Sequence, residues 1–322
     1  MKNFAFSTAH SVDDAAHAAA SGARPIAGGT NLLDLMKLQI ETPDRLVSVR
    51  RLPRLDHVTA TPEGGVRIGA DVTNTALAAH PLIRECYPLL SRALLAGASA
   101  QIRNMATTGG NLLQRTRCVQ FYDTTDACNK RQPGSGCGAW NGGNRMNAVI
   151  GGSKACIAVN PSDMSVALRV LDATVHVQDA TGRNRTIPIA SFHLLPGVTP
   201  ERETALQAGE IITEISLPPP PTGVHHYRKV RDRASYAFAL VSVGAVADIR
   251  DGRIISVRFA FGGIAPRPWR IEAAEAVLQN QPAEVSTIEH ACDIALEGAK
   301  GHGDNDFKIL LARRTLVATL IS

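Results

Sequence analysis

The chain has 322 residues, 44% apolar and 20% charged, with a mean hydropathy of −0.02. That is enough for about two domains with real cores, and it excludes disordered and fibrous classes. Thirty-four basic against twenty-nine acidic side chains leave a net charge of +5. With no run of five lysines or arginines, this argues against a nucleic-acid surface and fits solubility or an anionic cofactor. No stretch approaches the roughly 18 consecutive apolar residues of a membrane span. Met1 to Phe6 runs quickly into Asp13 and Asp14, without the apolar core of a secretory signal.

Ser11-Val12-Asp13-Asp14 reads as a helix start, with acidic residues in the first turn and a stop at Gly22. Pro25-Ile26-Ala27 is a short apolar run, and a second helical pattern follows through Leu32, Leu33, Leu35 and Met36. Strands are expected at Leu46 to Val49 and Gly65 to Ala70, then a helical stretch from Thr75 to Ala100 interrupted at Pro81 and Pro88. The segment Arg103 to Asn111 reads as a loop. Residues 118–156 hold four of the six cysteines, with seven glycines from Gly134 to Gly152, so hydrophobic burial cannot order this stretch by itself. Helix-like Ala167 to Leu171 precedes strand patterns at Ala173 to Val177 and Ile211 to Ile215. The run Pro218 to Pro221 cannot donate to a sheet ladder and marks the main boundary. Beyond it an α+β pattern is expected: strands Tyr236 to Ala247 and Arg253 to Phe261 around an Asp251-Gly252 turn, then helices near 270–278, 285–297 and 305–320.

Four pieces carry chemistry. The first, Ile26-Ala27-Gly28-Gly29-Thr30-Asn31-Leu32-Leu33, puts paired glycines between a strand and a helix, where backbone N–H groups can approach a pyrophosphate; it can also be a plain capped turn. It is neither G-x-G-x-x-G nor a P-loop. The second, Thr107-Thr108-Gly109-Gly110-Asn111, repeats the device about 80 residues on, as a long anionic ligand lying between two subdomains would require. In the third, Asn160-Pro161-Ser162-Asp163, Asp163 can accept from ribose hydroxyls or cap the next helix. The fourth is Cys118-x9-Cys128-x8-Cys137-x18-Cys156. A glycine-rich, core-poor loop of this kind suits a metal centre that orders it by ligation. The spacing matches neither zinc ribbons nor ferredoxins, so zinc, iron–sulfur and disulfides all remain open. Cys86 and Cys292 read as structural thiols. No metalloprotease pattern and no G-x-S-x-G elbow occurs, and Lys229 reads as part of a charge run.

Taken in order, these motifs together with Arg228-Lys229-Val230-Arg231 resemble the FAD-binding subunit of the molybdenum hydroxylases, the xanthine dehydrogenase and carbon monoxide dehydrogenase group. Within that group, Arg115 to Cys118 and Cys128-Asn129-Lys130-Arg131-Gln132-Pro133-Gly134-Ser135-Gly136-Cys137 are similar to the FAD/[4Fe–4S] subunit of bacterial periplasmic aldehyde oxidoreductases, as is Lys229 to Ala239. The resemblance implies an α/β plus α+β fold: a two-subdomain FAD-binding domain of the vanillyl-alcohol-oxidase (PCMH) type, then a CO dehydrogenase flavoprotein C-terminal-like domain. The corresponding ranges are 1–219, with subdomains about 1–52 and 53–219 and a [4Fe–4S] insertion at 115–157, and 222–322. By the same resemblance Ile26, Ala27, Gly28, Gly29, Thr30, Asn31, Leu32 and Leu33 wrap the FAD pyrophosphate, with Thr108, Gly110 and Asn111 from the second loop. Asp163 holds the ribose or adenine side, Ile211 or Ile212 lies by the flavin, and Lys229 reaches it from the last domain. Cys118, Cys128, Cys137 and Cys156 ligate the iron.

The function so implied is electron transfer inside a heterotrimer. A large molybdopterin subunit oxidises an aldehyde, a small [2Fe–2S] subunit relays electrons, and FAD on this chain passes them to a soluble acceptor. No residue here is a substrate acid or base. The implied compartment is the periplasm, by co-export with a signal-bearing partner subunit, with the cytoplasm as alternative. Rival readings are the flavin subunit of an aromatic (4-hydroxybenzoyl-CoA-type) acyl-CoA reductase and a zinc-stabilised assembly module.

Overall fold

The computed structural model describes residues 1–321 and contains three sheets. Ala5–Thr8, Arg45–Ser48 and Arg24–Ile26 form a small parallel sheet with Arg45–Ser48 in the middle. The helix Val12–Ala20 covers it by burying Ala15 and Ala16; Ser11 caps this helix by accepting from the Asp14 amide, as its sequence suggests. The second sheet is antiparallel, in the order Val58–Ala60, Val66–Gly69, Ile211–Leu217, Thr174–Gln178, Asn184–Pro188. Pro81 and Pro88 each open a helix, so the expected long stretch becomes Asn74–Ala79, Pro81–Cys86 and Pro88–Ala96. The expected loop at 103–111 is instead mostly helical: Ala100–Met105 is capped by Ser99 and Thr108–Leu112 by Thr107. Side-chain caps outweigh the poor helix propensity of Gly109 and Gly110 there.

The last sheet runs Gln281–Pro282, Arg253–Gly262, Val241–Arg250, Val224–Val230, all antiparallel. Its central strand is buried on both faces. Val241, Val243, Ala245 and Ala247 share a core with Phe259, Phe261 and the helices Val285–Ala295 and Phe307–Leu320. The alternate residues meet the first half of the chain: Val246 and Ala260 join the core of the helices Pro88–Ala96 and Asp163–Val170, and a Cβ on Gly244 would lie 3.3 Å from both Leu89 and Val166. Burying Phe259 and Phe261 alone contributes about 1.5–3 kcal/mol each. The strand expected from Tyr236 begins only at Val241, because Tyr236 sits at φ 51° in a turn. The charge run around Lys229 is an edge strand, in register with Ser242 opposite Lys229 and Gly244 opposite Tyr227. That register turns Tyr227 and Lys229 toward the first half of the chain.

Candidate functional site

A cavity of about 1230 Å³ opens where the three sheets meet, larger than the ~300–1,000 Å³ of drug-sized sites. Ile26, Ala27, Gly28, Gly29, Thr30, Asn31 and Leu32 line it from one side, and Thr107, Gly110 and Asn111 from another. The loop geometry is specific. A Cβ on Gly28 would fall 1.9 Å from the Met105 carbonyl oxygen, so the two loops touch backbone to backbone. Arg50 donates to that same carbonyl at 3.1 Å, and Gly29 sits at φ 71°. The amides of Gly28, Gly29, Thr30 and Asn31 find no acceptor among the described residues. The Asn31 side chain is held through its Oδ1, which accepts from the Arg115 amide at 2.8 Å, while its buried Nδ2 has no partner. A buried donor such as Asn31 Nδ2 is rarely left unpaired in a folded protein, and the four half-exposed amides beside it are open to a ligand. Their convergence fits an anionic nucleotide, and these residues suit FAD.

Two expected contacts face elsewhere. Leu33 is absent from the cavity wall and packs with Ile26, Met36 and Leu46. Thr108 is fully buried and donates its hydroxyl to the Val72 carbonyl at 2.9 Å, so its neighbour Thr107 takes the lining position. Ile211 and Ile212 both line the cavity, while Ile211 also joins the core under the first sheet and Ile212 that of the second. Asp163 and Lys229 meet on the wall: Lys229 Nζ lies 2.8 Å from Asp163 Oδ2, their side chains 4% and 9% exposed, and Lys229 also donates to the Ala96 carbonyl. Tyr227 donates to Asp163 Oδ1 at 2.5 Å. Burial and this carboxylate push the Tyr227 phenol well above its usual range. Tyr227 escaped the sequence reading, although its two-residue spacing from Lys229 on a strand put both on one face.

The four clustered cysteines are free thiols that line one small cavity with Gln120, Phe121 and Asn147. Cys128 and Cys137 face each other across a bridge closed by the Asn129 amide on the Gly136 carbonyl at 2.7 Å. Sulfur-directed hydrogen bonds come from Asn147 Nδ2 to Cys118 at 3.4 Å and from the Ala158 amide to Cys156 at 3.4 Å. As placed, no group of three or more His, Cys, Asp or Glu among the described residues is arranged to hold a single metal ion. Burial pushes the Cys118 thiol up and Cys156 to about 11, so ligation would have to displace protons. Contrary to the sequence expectation, the loop has an apolar core of its own, in which the cysteines pack with Leu35, Phe121, Ala139 and Ile157; four free sulfurs lining one cavity are still the donor chemistry of a thiolate-held cluster.

The loop is tied to the larger cavity by charge. Glu203 bridges Arg115 at 2.6 Å and Lys130 at 2.9 Å, and Arg115 reaches Glu41 at 3.0 Å. Burial opposes ionisation of Glu203, but the two cations hold its carboxyl below the ordinary range. Arg117, next to Cys118, stacks over Phe238 at 4.9 Å on the cavity wall. Of the remaining thiols, Cys292 is fully buried and pushed up to about 12, and Cys86 is half-buried. Among the described residues no helix is long and apolar enough to cross a membrane.

Comparison with known proteins gives this arrangement a family. Residues 2–220 match the FAD binding domain in molybdopterin dehydrogenase, and residues 225–321 the CO dehydrogenase flavoprotein C-terminal domain. The chain is 55% identical over 322 residues to the aldehyde oxidoreductase FAD-binding subunit PaoB of Escherichia coli (strain K12), covering 99% of this chain and 98% of the relative. It is 27% identical to the carbon monoxide dehydrogenase medium chain of Afipia carboxidovorans, covering 90% and 85%. Its fold matches the reconstituted CO dehydrogenase from Oligotropha carboxidovorans at TM-score 0.77, with 23% identity over 99% of this chain and 97% of that one. It also matches quinoline 2-oxidoreductase from Pseudomonas putida 86 at 0.74, with 23% identity over 100% and 97%. With both halves matched end to end, the chain belongs to the FAD-binding subunits of the molybdenum hydroxylase family.

Proposed function

We propose that the chain is the FAD-binding medium subunit of a molybdenum-dependent aldehyde oxidoreductase, assembled with a large molybdopterin subunit and a small [2Fe–2S] subunit. The observation that carries the reading is the 55% identity across the whole length to the aldehyde oxidoreductase FAD-binding subunit. FAD bound here, with a [4Fe–4S] cluster in the cysteine loop, would supply the electron storage and relay between aldehyde oxidation and a soluble acceptor. The chain's own residues hold and orient. Free amides of Gly28 to Asn31 receive the pyrophosphate, Gly110 and Asn111 close on it, and Ile211 and Ile212 give an apolar wall that excludes water. Asp163 has a donor on each oxygen already but keeps lone pairs for a ribose hydroxyl. The division at 219–222 belongs to the same reading, as does the assignment of Cys118, Cys128, Cys137 and Cys156 as cluster ligands.

The test is co-production with the two partner chains. A yellow-brown trimer is expected, holding stoichiometric FAD and iron with acid-labile sulfide beyond the small subunit's share, whose flavin an aldehyde bleaches. A trimer that an aldehyde leaves unbleached but whose reduced flavin is reoxidised by an aromatic acyl-CoA, which takes up the electrons, would move the chain to the reductase group. A colourless chain with stoichiometric zinc would make it an assembly module. The compartment we propose is the periplasm, reached with a signal-bearing partner; fractionation that leaves the assembled trimer in the cytoplasm would overturn that.

A further inference from the structure

The C-terminal domain holds a cation that nothing in the flavin reading uses. Lys308, near the start of the helix Phe307–Leu320, is fully buried. Its Nζ donates to two carbonyls, Asn147 at 3.0 Å and Gly263 at 2.7 Å, and the described residues give it no carboxylate partner. Burial first, then the positive Arg145 guanidinium, push the Lys308 ammonium down to about 7. A buried ammonium with only neutral acceptors is strongly unfavourable unless negative charge stands close by.

The carbonyl it grips belongs to Asn147. The side chain of that residue lines the cysteine cavity and donates its Nδ2 to Cys118 Sγ at 3.4 Å. A second C-terminal side chain reinforces the grip: Asn305 Nδ2 donates to the Asn147 and Ala148 carbonyls at 3.3 and 3.2 Å and is itself fully buried. Asn144 Nδ2 reaches back to the His302 carbonyl at 2.7 Å. Thus residues 302–308 clamp residues 144–148, and the clamp ends on a sulfur.

We propose that Lys308 and Asn147 form a positioning unit for the cysteine-held cluster: Lys308 places positive charge one residue from a ligand sulfur and fixes the amide that donates to it, and both effects raise the cluster's reduction potential. The inference rests on the [4Fe–4S] reading above. A cluster bound by four thiolates is anionic and becomes more so when it takes up an electron. A fixed cation and an N–H···S bond therefore stabilise the reduced form more than the oxidised one. The same charge supplies the missing partner for the buried ammonium.

The experiment is a redox titration of the purified trimer, with dithionite and mediators, following the cluster by electron paramagnetic resonance and the flavin by absorption. Lys308→Met and Asn147→Ala are each expected to shift the cluster at least tenfold toward the oxidised form at a fixed ambient potential, about 59 mV for a one-electron couple. Lys308→Arg should stay within a few-fold of the parent, and the flavin should titrate unchanged in all three. A Lys308→Met trimer with full iron and sulfide and the parent potential overturns the proposal. Should Lys308→Met lose its iron while Lys308→Arg keeps it, the requirement for charge stands. If neither holds iron, Asn147→Ala decides, and an unshifted potential there overturns the idea. A parent trimer with flavin but no labile sulfide beyond the small subunit's share would sink the cluster reading itself, and this inference with it.

Discussion

Replacing Gly28 by alanine tests the nucleotide-binding reading at its most constrained point. The added Cβ would stand 1.9 Å from the Met105 carbonyl oxygen and 2.6 Å from its carbon, where ordinary contact begins near 3.4 Å. Both atoms are backbone, and Arg50 pins the carbonyl by its own hydrogen bond, so the clash is relieved only by parting the two glycine loops. The strain itself would cost about 1–3 kcal/mol. The larger effect falls on binding, because the amides of Gly28 to Asn31 move off the position they share with Gly110 and Asn111. Hydrogen bonds to a charged group contribute about 1.5–3 kcal/mol each. Losing two weakens FAD binding by roughly a hundredfold to ten-thousandfold. Flavin content of the purified trimer, then the dissociation constant from flavin fluorescence on rebinding, would measure this. Gly143→Ala is the control, since nothing lies within 4 Å of a Cβ built there. A Gly28→Ala trimer that binds FAD as tightly as the Gly143→Ala control would refute the argument.

The Asp163–Lys229 pair is buried, so Asp163→Ala should cost about 3–5 kcal/mol by stranding Lys229, and the double variant Asp163→Ala/Lys229→Met should recover much of it; additive losses in urea midpoints would contradict a coupled pair. Tyr227→Phe removes one donor from the same carboxylate and should cost about 1 kcal/mol, read as a lower melting temperature. His193 is buried, donates through Nε2 to the Leu112 carbonyl at 3.0 Å, and has its pKa pulled down to about 4 by burial. Its folded value lies below the unfolded 6.5, so the unfolded chain binds the extra proton as pH drops through 6.5 toward 4. Stability is therefore full above about 6.5 and falls across that window by about 3 kcal/mol. His193→Gln at saturating FAD should flatten the slope, and an unchanged pH profile would exclude His193 as its source. Cys128→Ser should remove the loop's iron and labile sulfide while leaving flavin bound, whereas Cys86→Ser should leave both; simultaneous loss of FAD in Cys128→Ser would mean the two sites are not separable.

What sequence made legible follows from how local each cause is. Ser11, Pro81, Pro88 and the Asp251-Gly252 turn act within a few residues, and each falls at an element boundary. The paired glycines were legible for the same reason, although their partner, the Met105 carbonyl, was not. The edge strand Val224–Val230 was hidden because His225, His226, Arg228 and Lys229 mask its alternation; it forms only because Val241–Arg250 offers a ladder to pair with. Leu33 and Thr108 sit inside motifs that line the cavity yet face away from it, since a motif names a segment and the backbone decides which side chains point inward. Lys308 was unreadable: a lysine is ordinarily solvated, and only the fold reveals the carbonyls around it.

The wall of the larger cavity draws on residues from 19 to 238, and the small cysteine cavity depends on a clamp that ends at residue 308. During synthesis, then, a chain halted at the proline run has every phosphate-facing amide but lacks the strand that closes over them, and a chain halted at residue 300 encloses the nucleotide niche while its sulfur loop still hangs unfastened. Biogenesis thus has an order written into the topology: the nucleotide niche is complete before the cysteine loop is fastened, and residues 302–308, at the start of the last helix, are what fasten it.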